Sequence, residues 1–235
     1  MRIAVLADIH GNYPALSAVA EEVQGSEIDR VFVLGDIVGY YYWPQQVIAL
    51  LRKWDAEAIA GNHERMLRQL IGGELQDDEV KKTYGDGLRR VIAETDEAGR
   101  AWLSGLADTI TVETGGRTFL LCHGSPVRLD DYIYPDTDEA VLGELLASVK
   151  DFLLLGHTHY PFIYRQQNKT LVNPGSVGQA RNKGGVACWA VIDLQQETVA
   201  LRETPYDYRA VMEMARRVDP HRPYMWEVLA RNAAK

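Results

Sequence analysis

Short apolar runs alternate with segments of helical spacing along the first sixty residues. IAVLADI at 3–9 reads as a strand. Residues 13–24 follow, with apolar positions at Leu16, Val19, Ala20 and Val23, opened by Asn12 and Pro14 and closed by Gly25, which predicts a helix. VFVL at 31–34 and PQQVIALLRKW at 44–54 repeat the strand-and-helix unit, and AEAIA at 56–60 predicts a third strand. The stretch 64–106 is mostly helical in pattern, with glycines at 72, 73, 85 and 87 expected to break it. TITVET and RTFLLC, joined by Gly115 and Gly116, predict a hairpin. Beyond it come a helix at 138–149, strands at 152–156, 162–166, 170–173, 185–194 and 197–203, and a last helix at 206–217. The tail after Pro220 reads as a loosely attached arm or a partner contact. Strands interleaved with helices predict a layered α/β fold, and 235 residues suit a single domain, 1–235, with a helical insertion at about 64–106 and a C-terminal helix and tail at about 206–235.

Composition narrows the function classes. An apolar share of 46% with 25% charged residues is that of an ordinary globular chain. The first apolar run is interrupted by Asp8, too short for a secretory signal or a membrane span, so a cytoplasmic location without membrane attachment is expected. Cys122 and Cys188 each fall within an apolar run and read as buried free thiols. A net charge of −8 disfavours general binding to nucleic-acid phosphates, although cations bound in an acidic pocket would make the local field positive.

The chemistry lies just past the strands. ADIHGN, LGDIVG, AGNHE, HGSP and GHTH each place an Asp, Asn or His immediately beyond an apolar run, where ligand sites of open α/β sheets collect. Of the six histidines, His10, His63, His123, His157 and His159 occupy such positions and His221 does not. On an extended chain, residues two apart point the same way and lie about 6.6 Å apart. Asp8 with His10, and His157 with His159, can therefore serve one metal centre or two neighbouring ones. A two-metal hydrolytic site has ions about 3.5–4 Å apart, and Asp36 is the natural carboxylate to bridge them. Singly, each residue has a plainer reading: Asn12 as a helix cap, a lone Asp as a turn residue, a lone His as a hydrogen-bonded side chain. Capping does not account for five such junctions together.

In these elements the sequence resembles the calcineurin-like metallophosphoesterase superfamily, in its small bacterial and archaeal phosphodiesterase-like branch. The matching residues are Asp8-Ile9-His10, Gly35-Asp36, Gly61-Asn62-His63-Glu64, His123-Gly124 and Gly156-His157-Thr158-His159, in the family's order, together with NPGSVGQ at 173–179. The resemblance implies a four-layer α/β/β/α sandwich of two mixed sheets flanked by helices. It also implies a dinuclear phosphatase or phosphodiesterase, with Asp8, His10 and His159 on one metal, Asn62, His123 and His157 on the other, and Asp36 between them. His63 matches the catalytic histidine, and Glu64 is expected to orient it. Two divalent cations, drawn from manganese, iron, cobalt, nickel or zinc, would activate water against a small phosphorylated substrate, a nucleotide among the candidates. A homo-oligomer is compatible with the sequence. A non-catalytic protein-binding scaffold on the same fold is the alternative, and the complete ligand set with His63 favours an enzyme.

The chain departs from many relatives after Gly35-Asp36, where it carries Tyr40, Tyr41, Tyr42 and Trp43. These rings read either as a stacking surface for a nucleoside or aryl leaving group or as a packed loop or subunit contact. The loop SPVRLDDYIYPD at 125–136 is a second specificity candidate, and Arg128 and Arg181 are each either a phosphate clamp or a solvated side chain.

Overall fold

A computed structural model describes residues 1–232, so residues 233–235 of the expected tail lie outside the described residues. Among the described residues, ten strands form two five-stranded sheets. One has the order β10-β9-β1-β2-β3, from β1 (Arg2–Leu6), β2 (Arg30–Val33), β3 (Glu57–Ala58), β9 (Val186–Asp193) and β10 (Thr198–Pro205). The other has the order β4-β5-β6-β8-β7, from β4 (Thr109–Thr114), β5 (Arg117–Cys122), β6 (Phe152–Leu154), β7 (Phe162–Gln166) and β8 (Lys169–Asn173). Both are mixed: β1, β2 and β3 run parallel with β9 antiparallel to β1, and β5, β6 and β8 run parallel with antiparallel β4 and β7 at the edges.

The period of two along a strand builds the layers. In β1, Ile3 and Val5 face the second sheet and join Phe32, Phe119, Leu121, Leu154, Val172 and Ile192 in the core between the sheets. Ala4 and Leu6 face the other way, onto α1 (Tyr13–Gln24) and α2 (Pro44–Lys53) through Leu16, Val19, Val47 and Leu51. On the outer face of the second sheet, Leu142 and Leu146 of α7 (Glu139–Ala147) pack over Leu153 and Leu171. The result is the four-layer sandwich, in one domain. Gly115 and Gly116, at φ 56° and 73°, make the two-residue turn between β4 and β5, where positive φ at both positions matches the twist of a hairpin.

The segment 62–104 folds into α3 (Asn62–Ile71), α4 (Asp77–Tyr84), α5 (Gly87–Glu94) and α6 (Glu97–Ser104). Gly72, Gly73 and Gly85 break it as expected, but Gly87 is the first residue of α5, and the last break falls at Asp96, whose carboxylate accepts the Gly99 N–H at 2.6 Å as an N-cap. Gly87 is needed at its place because a Cβ there would collide with the Gly39 carbonyl, so the insertion seats directly on the loop that follows Asp36.

The tail is a correction to the expectation of a loose arm. After α8 (Tyr208–Val218), the chain forms α9 (Tyr224–Glu227) and a 3₁₀ turn (Val228–Ala230) that bury Met225, Val228 and Leu229 against Tyr41, Tyr42 and Val211. The Tyr41 hydroxyl donates to the Met225 carbonyl at 3.0 Å and the Tyr42 hydroxyl to Asp219 at 2.7 Å. Among the described residues, no helix is long and apolar enough to cross a membrane.

Candidate metal centre

The parallel strands β1, β2, β3, β5 and β6 end at one edge of the sandwich, and the residues just past each strand converge there. Asp8 and His10 come after β1, Asp36 after β2, Asn62 and His63 open α3 after β3, His123 comes after β5, and His157 and His159 after β6. All the imidazoles and carboxylates of this set are buried. Ligand atoms of Asp8, His10 and His159 lie within 4.8 Å of one another, as do those of Asp36, His123 and His157, and those of His10, Asp36 and His63. Asn62 joins through its Oδ1 atom, 3.1 Å from His123 Nε2.

The local geometry differs from an extended strand. β1 stops at Leu6 and β6 at Leu154, and Asp8, His10, Asp36, His157 and His159 all take left-handed backbone conformations, with φ between 51° and 68°. Such φ values are uncommon outside glycine, and five in one site mark a backbone held in place by its surroundings. The pairs Asp8/His10 and His157/His159 thus reach the centre by turning, a correction to the strand-spacing argument. Several contacts hold the turns. The Asp8 carboxylate accepts the His157 N–H at 3.0 Å, and the Asp36 carboxylate accepts the His63 N–H at 2.9 Å. Behind them, the 173–179 segment acts as a bracket: Ser176 Oγ donates to the Asp8 carbonyl at 2.7 Å, and Asn173 Nδ2 donates to the Gly156 carbonyl at 2.8 Å.

Ring orientation can be assigned from the hydrogen bonds. His123 Nδ1 lies 2.7 Å from the Leu34 carbonyl and His159 Nδ1 lies 2.7 Å from the Gln179 carbonyl. A carbonyl only accepts, so each Nδ1 carries a proton and each Nε2 is the nitrogen turned into the centre, its lone pair free whenever the ring is neutral. His159 Nε2 meets His10 Nε2 at 3.0 Å, while His10 Nδ1 and His157 Nε2 are buried without a partner. If His10 Nε2 carries a proton, its Nδ1 lone pair is stranded; if it does not, two lone pairs face each other. A cation between them resolves the conflict, so the donor set fits metal binding.

The charges agree. Burial pushes Asp8 up to about 8, and burial, with Asp36 nearby, pushes Glu64 up to about 7. For Asp36 burial opposes ionisation, but the imidazoles of His123, His63 and His10 outweigh it and hold the carboxyl below its ordinary range. Burial likewise opposes a charged His123, yet Asp36 and Asp8 raise it to about 10. His157 is lowered to about 4, by burial first and then by His123, and burial also lowers His10, His63 and His159. Neutral His10, His157 and His159 beside anionic Asp36 are the protonation states that metal ligation requires, whereas Asp8 and His123 hold a proton at neutral pH that an arriving cation displaces.

Over the centre is a hollow of roughly 50 Å³, floored by His10, Asp36, Asn62, His63, His157 and His159, and walled by Tyr40, Tyr84, Tyr132 and Arg181. Tyr40 stands edge-on to His10 and tilted to His63, with ring centroids at 4.6 and 4.9 Å. Of the aromatic run only Tyr40 reaches the hollow; Tyr41 and Tyr42 are buried against the tail, so the packed-loop reading holds for them. Tyr84, at the end of α4, carries no signal in the sequence that sets it apart, and its ring lies 5.1 Å from that of His63. Glu64 does not orient His63. It is fully buried, and its carboxylate accepts the N–H groups of Asp36, Val38 and Gly61. The two arginines separate: Arg128 is 67% exposed and paired with Asp130 and Asp131, whereas Arg181 is half-buried and no carboxylate pairs with it among the described residues.

A profile of the calcineurin-like phosphoesterase superfamily domain matches residues 1–197. The chain belongs to this superfamily. An uncharacterized protein of Methanocaldococcus jannaschii is 28% identical to this superfamily member over 232 residues, covering 90% of each chain. Among solved structures, a hypothetical protein of Pyrococcus horikoshii superposes with a TM-score of 0.81 at 25% identity, covering 100% of this chain and 99% of that one. A metallophosphoesterase from Sphaerobacter thermophilus superposes with a TM-score of 0.79 at 21% identity over 98% and 100% of the two chains, a likeness of fold. Both cover the helical insertion as well as the sheets.

Proposed function

We propose that the protein is a dinuclear metal-dependent phosphoric ester hydrolase acting on a small phosphorylated molecule. Asp8, His10 and His159 would hold one divalent cation, Asn62, His123 and His157 the other, with Asp36 shared. The observation that carries the reading is the set of buried ring nitrogens left for a ligand: His123 and His159 tie Nδ1 to carbonyls and so turn Nε2 into the centre, and His10 Nδ1 and His157 Nε2 have no partner among the described residues. When bound, such a pair of cations supplies Lewis-acid charge and lowers the pKa of a coordinated water.

The remaining tasks fall to side chains of the hollow. His63 is positioned by its backbone N–H on Asp36 and stands beside the place a phosphate would occupy, so its imidazole can hand a proton to the leaving oxygen. Its surroundings favour the neutral ring; the negative charge of an arriving phosphate opposes that burial effect and favours protonation. Arg181 offers a fixed cation without an internal counter-ion, suited to the non-bridging oxygens. The acidic balance of the chain supports a small substrate over nucleic acid.

The test is hydrolysis of a panel of phosphomonoesters, phosphodiesters and dinucleoside polyphosphates by protein stripped with chelator and reloaded with manganese, iron, cobalt, nickel or zinc in turn. Activity should vanish on stripping and return with metal. Hydrolysis of none of the panel under any loading would transfer the weight to a non-catalytic scaffold.

A further inference from the structure

Beside the hollow lies a second, wider and more open one of roughly 540 Å³, lined by Tyr134, Pro135, Asp136 and Tyr160. Tyr132 links the two. Its ring centroid is 4.3 Å from that of His157 at the centre and 6.0 Å from that of Tyr134, and the two tyrosine rings are parallel to within 13°. Tyr160, the residue after His159, closes the far side with its ring 5.8 Å from that of Tyr134. The parallel pair follows from the chain: Ile133 is buried in the core against α7, so Tyr132 and Tyr134 on either side of it turn outward together.

This loop is built rather than loose. Ser125 Oγ accepts the N–H groups of Val127 and Arg128 and donates to Asp131 at 2.6 Å, Leu129 is buried, and Tyr134 and Thr137 exchange hydrogen bonds at 2.9 and 3.1 Å. Yet Tyr132 is 57% exposed. A ring pair, Tyr132 exposed and Tyr134 half-buried, beside a phosphate-sized hollow offers flat π faces to a leaving group, and Asp136 adds an acceptor for ring or exocyclic N–H groups.

We infer that Tyr132, Tyr134 and Tyr160 form the leaving-group subsite of the proposed phosphoesterase, and that it takes a nucleobase stacked on the tyrosine faces. The inference rests on the phosphoesterase reading for its chemistry but not for its binding.

Two measurements separate them. In steady-state kinetics the metal-loaded protein should prefer adenosine 5′-monophosphate to glycerol 3-phosphate. Tyr134→Leu should lower that kcat/KM ratio by roughly ten- to a hundredfold, chiefly through KM, the range expected for losing one stacked base. Tyr134→Phe, which keeps the face and loses only the hydroxyl, should restore most of it. A Tyr134→Leu variant that slows both substrates alike, or leaves the ratio unchanged, would show a structural role and overturn the proposal. Adenosine alone, titrated into the wild-type protein and observed by saturation-transfer NMR, reads the shelf without turnover: binding that Tyr134→Leu abolishes supports it even if no ester is hydrolysed. No binding overturns it. Light scattering is the third arm, since a dimer that Tyr134→Leu dissolves would assign the rings to a subunit contact instead.

Discussion

Glu64 Oε2 accepts the backbone N–H of Asp36 at 2.9 Å, joining two strand ends through a single buried oxygen that also takes the Gly61 N–H at 2.8 Å. Its other oxygen takes the Val38 N–H at 3.0 Å. A glutamine here must turn its NH₂ toward one of these donors. Glu64→Gln should therefore cost about 1–3 kcal/mol, the penalty for a buried unpaired donor, at about 2–4 °C of Tm per kcal/mol in a chain of this size. It should also weaken metal affinity by loosening Asp36. Calorimetry with and without added manganese measures both; an unchanged Tm would mean the three N–H groups find other partners.

Asp36 stands among three of the imidazoles: its Oδ2 lies 3.3 Å from His123 Nε2, 3.7 Å from His10 Nε2 and 3.9 Å from His63 Nε2. If it serves both cations, Asp36→Asn should reduce the metal content by more than one ion per chain and abolish turnover. Elemental analysis after dialysis is the measurement. Two retained ions with normal activity would contradict the shared role.

His63 faces the hollow from the first turn of α3, and unlike its neighbours it belongs to neither of the two ligand triplets proposed for the cations. His63→Ala should keep the metals and lower kcat by roughly ten- to a thousandfold, the usual range for acid catalysis. The loss should be smaller for substrates with acidic leaving groups such as p-nitrophenol, which need no proton. Loss of metal in this variant would make His63 a ligand.

Arg181 lines the hollow with its Nε buried and unpartnered. Removing a charged hydrogen bond typically costs about 1.5–3 kcal/mol, so Arg181→Met should raise KM, and the inhibition constant of inorganic phosphate, by roughly ten- to a hundredfold. Arg181→Lys should recover part of this, lacking the fork of the guanidinium. Equal constants in wild type and Arg181→Met would leave the residue a structural one.

The legible part of this molecule was the part that strand polarity dictates. Asp8, Asp36, Asn62, His123 and His157 each follow a parallel strand, and parallel strands of packed sheets finish at the same edge, so their meeting could be read from the positions of the apolar runs. How they meet could not. The left-handed turns at Asp8, His10, His157 and His159 are set by hydrogen bonds from residues up to 149 positions away, such as His157 N–H on Asp8. Glu64 is expected from the sequence to orient His63 because its true partners are main-chain N–H groups, which leave no trace in composition. The docking of Met225, Val228 and Leu229 escaped for a different reason: a four-residue helix followed by a 3₁₀ turn is too short to show a period. Tyr84 reaches His63 only because the insertion folds back onto the Gly39 loop.

Stripped of metal, the protein should show a stability maximum in pH. On the acid side, His157 is held neutral by burial with its pKa lowered to about 4, and His10, His63 and His159 are lowered too. The unfolded chain takes up these protons near pH 6.5, about two and a half units above His157's folded value, so stability falls as pH drops from about 6.5 toward 4. On the alkaline side, Asp8 and Glu64 are raised to about 8 and about 7, and His123 to about 10. Groups raised in the folded state favour it while they keep their protons, and that contribution is lost as pH climbs through the folded values: from about 4 to 8 for Asp8, from about 4.5 to 7 for Glu64, and from about 6.5 to 10 for His123. The acid loss of four imidazoles outweighs the opposing trend of two carboxyls below pH 6, which places the maximum near pH 6–6.5. Cations reverse the alkaline arm, because they bind ionised Asp8 and neutral His123 and reward deprotonation. Tm measured from pH 5 to 9 in chelator should therefore peak near pH 6–6.5, and with saturating manganese the peak should move upward by a unit or more. A profile that manganese leaves in place would mean that Asp8 and His123 do not meet the metal.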